Sequence, residues 1–107
     1  MKGTNLGEFE ELVLLIVGLL DDDAYGAAII QELEAKTARS TSVGAVHSGL
    51  NRLLDKGFIK SEYGASTESR RGRRKIYYKL TPAGESVLIK TRELRNSLFN
   101  LIPKFSS

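Results

Sequence analysis

The sequence predicts a mainly α (α+β) fold: three helices, a β-hairpin and a long final helix, in that order. Three observations carry this. Apolar residues run or recur at helical spacing in three stretches before residue 57. Two short strand-like runs follow at 58–63 and 74–80, joined by a charged stretch that contains glycine. Thr81-Pro82 then marks a helix start, with threonine as N-cap and proline at the first helical position. The chain has 107 residues, room for one small domain. With 41% apolar residues it is an ordinary globular chain, which argues against disorder along its whole length. A core this small gains from an added dimer interface.

The first helix is expected over residues 8 to 20. Glu8, Glu10 and Glu11 fall in its first turn, where carboxylates favour the helix dipole. The run Leu12 to Leu20 is apolar on nearly every face, so this helix should be packed on more than one side. Nine such residues are too few to span a bilayer. Acids before the run and Asp21-Asp22-Asp23 after it do not fit a signal peptide. The aspartate triplet reads as a solvated turn that ends the helix.

A second helix is expected from about Tyr25 to Lys36, with Ala28, Ile29 and Leu33 on its apolar side. After the polar connection TARSTS, Ser42 is placed to cap a third helix over Val43 to Lys56, which Gly57 stops. Val46, Leu50, Leu53 and Leu54 form its apolar stripe. Gly44, Ala45, Ser48 and Arg52 fall opposite, with His47 and Asn51 on one flank. The outer face is small and polar near its N-terminus, so another molecule can approach the backbone there.

The hairpin follows, with Ile76, Tyr78 and Leu80 on one side of its second strand and Lys75, Tyr77 and Lys79 on the other. Residues 64–73 connect the strands. Five of the six positions from Arg70 to Lys75 are basic, and the sixth is Gly72, which suits a turn. In the final helix Val87, Thr91, Leu94, Leu98, Leu101 and Phe105 alternate spacings of four and three, a coiled-coil-like seam. Leu88, Phe99 and Ile102 widen it.

Net charge is +3 and the isoelectric point is about 9.3. Distribution says more than the total. Acids dominate residues 8 to 34 and bases dominate residues 70 to 79, which points to an anionic partner for one surface. With no cysteine, disulfides, thiolate metal sites and cysteine nucleophiles are excluded, and the composition fits a cytoplasmic chain. His47 is the only histidine, which leaves a metal site without ligands of the right kind. No nucleophile elbow, P-loop or dinucleotide fingerprint occurs, and Ser48 beside His47 is no triad. The expectation is therefore no enzyme, no catalytic residue, no metal and no cofactor.

Helix, helix, helix, hairpin is the order of a winged helix-turn-helix, in which the third helix enters the DNA major groove by its N-terminal end. Here the small polar helix face and the basic hairpin tip, or wing, are the two features DNA binding would need. The DNA-facing residues expected are Thr41, Ser42, Gly44, His47, Ser48 and Arg52 on and before the third helix. Arg70, Arg71, Arg73, Arg74 and Lys75 are expected to meet phosphates or a narrow minor groove from the wing. Ser42 is about as well explained as a simple cap. Arg52 can reach a phosphate, or pair with Asp55 or another carboxylate. Asn51 reads as surface filling. A lone run of charge is more often a solvated patch; its place on a hairpin tip after a groove-ready helix favours DNA. The competing reading is a winged-helix module that binds protein, its basic wing docking an acidic partner.

The chain resembles the PadR family of bacterial transcriptional regulators. The resemblance rests on Gly7-Glu8-Phe9-Glu10-Glu11, Tyr25-Gly26, Gly44-Ala45-Val46, Leu50 with Arg52-Leu53, and Lys56-Gly57. It continues through Arg71-Gly72-Arg73-Arg74-Lys75, Tyr78 and Thr81-Pro82-Ala83-Gly84. It implies a homodimeric repressor of double-stranded operator DNA, of the short subclass with a single C-terminal helix. The final helix would pack across the dimer against the partner's first helix. Residues 1–80 would form the DNA-binding domain and 81–107 the dimerisation helix. Leu12, Ile16, Val87, Leu94, Leu98, Leu101 and Phe105 are the dimerisation residues expected. The resemblance also admits a small-molecule inducer at the dimer interface, with no membrane partner. Two departures stand out. His47 replaces the tyrosine of many members near DNA. There is no tryptophan to sandwich a planar drug, although Phe99 and Phe105 could line such a cavity.

Overall fold

A computed structural model of the chain describes residues 6–64 and 75–105, the side chain of Phe105 excepted. Helix α1 spans Glu8–Leu20, α2 Gly26–Thr37 and α3 Val43–Asp55. Strands β1 (Ile59–Tyr63) and β2 (Ile76–Leu80) pair antiparallel, with Ile59 opposite Leu80 and Tyr63 opposite Ile76. Helix α4 runs from Pro82 to Asn100. Short 3-10 turns cover Asp21–Asp23 and Pro103–Phe105.

The expected stop and start signals operate. The Ser42 hydroxyl accepts the Ala45 N–H at 3.0 Å and satisfies one of the orphan donors of α3. Gly57, at φ +79°, lets the chain turn back after that helix. Thr81 Oγ1 accepts the Gly84 N–H at 3.0 Å and donates to the Gly57 carbonyl at 2.6 Å, so one side chain caps α4 and ties it to the turn after α3. Glycine at position 84 has a packing reason. A Cβ there would lie 2.1 Å from the Phe58 carbonyl oxygen.

The core lies where the three helices meet. Val13, Leu14 and Val17 of α1, Ile29 and Leu33 of α2, and Val46, Leu50 and Leu53 of α3 are all buried. Phe58, Ile59 and Tyr78 close it from the hairpin side. Each buried aliphatic side chain contributes roughly 1.5–3 kcal/mol relative to exposure, so these stripes fix how the helices pack.

Three expectations need correction. Tyr25 lies before α2, as its extended N-cap, and forms an isolated antiparallel bridge with Tyr77. The Tyr78 N–H donates to the Ala24 carbonyl at 2.8 Å, so the segment before α2 adds a short rung to the hairpin. The final seam breaks after Asn100. Pro103 disfavours a helical conformation at Ile102 and has no N–H to continue the ladder, which puts Phe105 on a separate turn. Ile16, expected at a dimer surface, is 6% exposed and belongs to the core of its own chain. The open face of α1 carries Leu15 and Leu19 instead, 46% and 56% exposed.

Candidate nucleic-acid interface

The N-terminal half of α3 presents Val43, Gly44, Ala45, His47 and Ser48 to solvent, while Val46, Gly49 and Leu50 hold it to the core. The inner stripe thus fixes the outer face. Nothing lies within 4 Å of where a Cβ on Gly44 would sit, so the helix backbone is open to close approach there. His47 lies beside the start of α2, its ring 4.0 Å from where a Cβ on Gly26 would be. Val43 is 60% exposed at the first position of the helix. Sequence reading passed over it because an apolar residue at a helix start carries no polar signal. An exposed apolar group can pack on a thymine methyl.

The flanking residues divide. The Thr41 N–H donates to Glu34 Oε2 at 3.2 Å, which fixes the chain just ahead of α3. Ser42 acts as cap through its oxygen, and its hydroxyl proton remains a donor. Arg52 takes a carboxylate partner, and that partner is Glu10 on α1 rather than Asp55. Arg52 Nε donates to Glu10 Oε2 at 2.7 Å. Glu10 Oε1 accepts from Lys56 Nζ at 2.7 Å and from the Gly7 N–H at 2.9 Å. The Glu10 carboxylate is nearly closed off from water, at 6% exposure. Burial pushes its pKa up, but hydrogen bonds from Lys56, the Gly7 backbone and Arg52 outweigh it and bring the pKa down to about 2. Sequence reading had counted Glu10 only as a first-turn acid.

At the base of the wing, Lys75 Nζ lies 4.1 Å from the centre of the Tyr25 ring, a cation–π contact. Tyr25 meets Tyr77 edge to face at 5.5 Å. The Gly64 N–H donates to the Lys75 carbonyl at 2.7 Å. These contacts anchor both ends of the basic segment beside the start of α2. Arg70, Arg71, Gly72, Arg73 and Arg74 lie outside the described residues.

A second surface is apolar. On α4, Ile89, Leu94, Leu98 and Phe99 are each more than half exposed, as is Leu101 just past its end. Val87 is half-buried against its own core, as is Leu12 on α1. A groove of about 390 Å³ opens beside α4, lined by Phe58, Ala83, Val87, Thr91 and Leu94 among others. Arg95 donates to Glu11 at 2.9 Å and sets α4 against α1. Among the described residues, no group of three or more histidines or acids could hold a metal ion, and no helix is long and apolar enough to cross a membrane.

Comparison with known proteins places this geometry. The family model described as "Transcriptional regulator PadR-like family" matches residues 13–90. A PadR-like transcription factor from Bacteroides fragilis superimposes with a TM-score of 0.75 at 24% identity, over 92% of this chain and 89% of that one. A PadR family transcription regulator from Clostridium difficile R20291 gives 0.72 at 26% identity, over 94% and 100%. A transcriptional regulator from Clostridium thermocellum gives 0.70 at 27% identity, over 92% and 89%. No curated protein matches the sequence closely enough to count as a relative.

Proposed function

The chain belongs to the PadR-like family of transcriptional regulators, and from that premise we propose that it is a repressor that binds double-stranded operator DNA as a homodimer. The observation that carries the proposal is the outer face of α3: small, polar, open at Gly44, and held from behind by a buried stripe. Such a face suits a helix whose N-terminal end enters a major groove. Thr41, Ser42, Gly44, His47 and Ser48 are the proposed groove-side contacts, joined by Val43. Arg52, Arg70, Arg71, Arg73, Arg74 and Lys75 are the proposed phosphate contacts.

The dimer is proposed from the exposed apolar residues of α4 and from Leu15 and Leu19 of α1, which need a cover that the single chain does not supply. Leu94, Leu98 and Leu101 remain the dimer residues on the α4 side. Residues 1–80 then act as the reading domain and 81–107 as the dimerisation helix, in the cytoplasm where the DNA is. An inducer, if one acts, would work at the dimer interface by favouring a different spacing of the two α3 helices.

Replacing Arg71, Arg73 and Arg74 by alanine tests the reading. DNA affinity should fall, and the slope of log affinity against log salt should shrink by about 0.9 for each phosphate that is no longer neutralised. DNA binding unchanged by the triple substitution, with loss of an acidic protein partner, would favour a protein-docking wing instead.

A further inference from the structure

We propose that Glu10 is a positioning residue for DNA contact: it holds Arg52 by one edge so that the rest of the guanidinium can be presented to a DNA phosphate. The inference rests on the DNA-binding reading above and goes beyond it, since it gives a residue of α1, remote from the groove face, a part in recognition.

The geometry is specific. Arg52 engages Glu10 through Nε, the inner nitrogen of its guanidinium, while half of the side chain surface faces solvent. The terminal amino groups are the atoms that can then reach outward. An arginine has five donors in a rigid fork, so it can serve a carboxylate on one edge and a phosphate on another, which a lysine ammonium cannot reproduce. Arg52 also stands in the right place along α3. Gly44, Ser48 and Arg52 follow one another at intervals of four on the exposed side of the helix. Gly44 and Arg52 are separated by about 12 Å along the axis at 1.5 Å per residue. The major groove is about 12 Å wide. A helix that enters by its N-terminal end therefore brings Gly44 toward base edges and Arg52 toward the bounding phosphates.

Charge balance allows it. A lone carboxylate beside DNA would repel phosphate. Here one carboxylate faces two cations, Arg52 and Lys56, which leaves the cluster with a net positive charge. Glu10 is itself fixed by the Gly7 N–H and is buried, so it offers a rigid anchor rather than a mobile partner. The holding contact also joins the last turn of α3 to α1, the helix whose exposed face carries Leu15 and Leu19.

The test is a cycle of variants read by DNA affinity across a salt series, on the fragment upstream of the protein's own gene and on a scrambled control. Arg52→Ala should weaken binding by about tenfold, the scale of one hydrogen bond to a charged group. It should also reduce the salt slope by about 0.9 for each phosphate that Arg52 meets, hence by about 1.8 for a dimer. Glu10→Gln should do nearly the same without touching DNA itself. Glu10→Asp keeps the charge but shortens the reach, and serves if the glutamine variant does not fold. In the double variant with Arg52→Ala, the Glu10 substitution should add no further loss of affinity or slope. Circular dichroism and molecular mass verify that each protein is folded and assembled. Wild-type protein that binds with a steep slope, with Arg52→Ala or folded Glu10 variants at the wild-type slope, overturns this inference alone. Additive losses in the double variant overturn it too. Wild-type protein that does not distinguish the upstream fragment from the scrambled one overturns the DNA-binding reading as well.

Discussion

Glu10 keeps its charge in a site nearly closed to water because three donors converge on it. Its pKa falls from the usual 4.5 to about 2, so the folded state binds this proton less readily than the unfolded chain does. The stabilisation is complete above pH 4.5 and is lost as pH falls toward 2, with a size of about 3 kcal/mol. Urea unfolding measured between pH 6 and pH 2 should show that decline, and Glu10→Gln should flatten it. A parallel decline in both proteins would assign it to other carboxylates. Gly84 is a second residue with a sharp expectation. Its alanine variant must push a methyl group against the Phe58 carbonyl, and should lose about 1–3 kcal/mol in urea unfolding. Wild-type stability in Gly84→Ala would mean that α4 can shift freely off the hairpin. The caps at Ser42 and Thr81 were legible in the sequence because their signals are local. The Glu10–Arg52 pair was not, because its members are 42 positions apart and no short-range pattern links them.

At the scale of elements, α1, α2 and α3 were read within a residue or so of their bounds, since periodic stripes and stop signals agree there. The rung between Tyr25 and Tyr77 escaped, because a single bridging residue has no period to detect. The seam of α4 was read too far because its spacing continues past Pro103 while the backbone does not. The choice of Ile16 over Leu15 and Leu19 had a similar cause. In a helix apolar all round, sequence cannot say which face the chain's own core takes. The exposed row on α4 gives its own prediction. Leu94→Glu with Leu98→Glu should yield monomers by sedimentation velocity at concentrations where the wild type is dimeric, since each buried leucine contributes roughly 1.5–3 kcal/mol. An unchanged mass would place the dimer contact elsewhere.

At the scale of the whole molecule, the fold puts its charge and its apolar surface to different uses. The buried stripes hold α3 with its small polar face outward, and the base of the wing is pinned next to the start of α2 by Lys75, Tyr25 and Tyr77. The apolar rows of α1 and α4 are left for a partner. The central claim is that the assembled molecule reads a particular DNA sequence. The measurement that tests it most directly is binding of the purified protein to the DNA upstream of its own gene, against scrambled DNA, across a salt series. The account predicts tight binding to the upstream fragment alone, with an affinity that falls steeply as salt rises. Weak and equal binding to both fragments would contradict it.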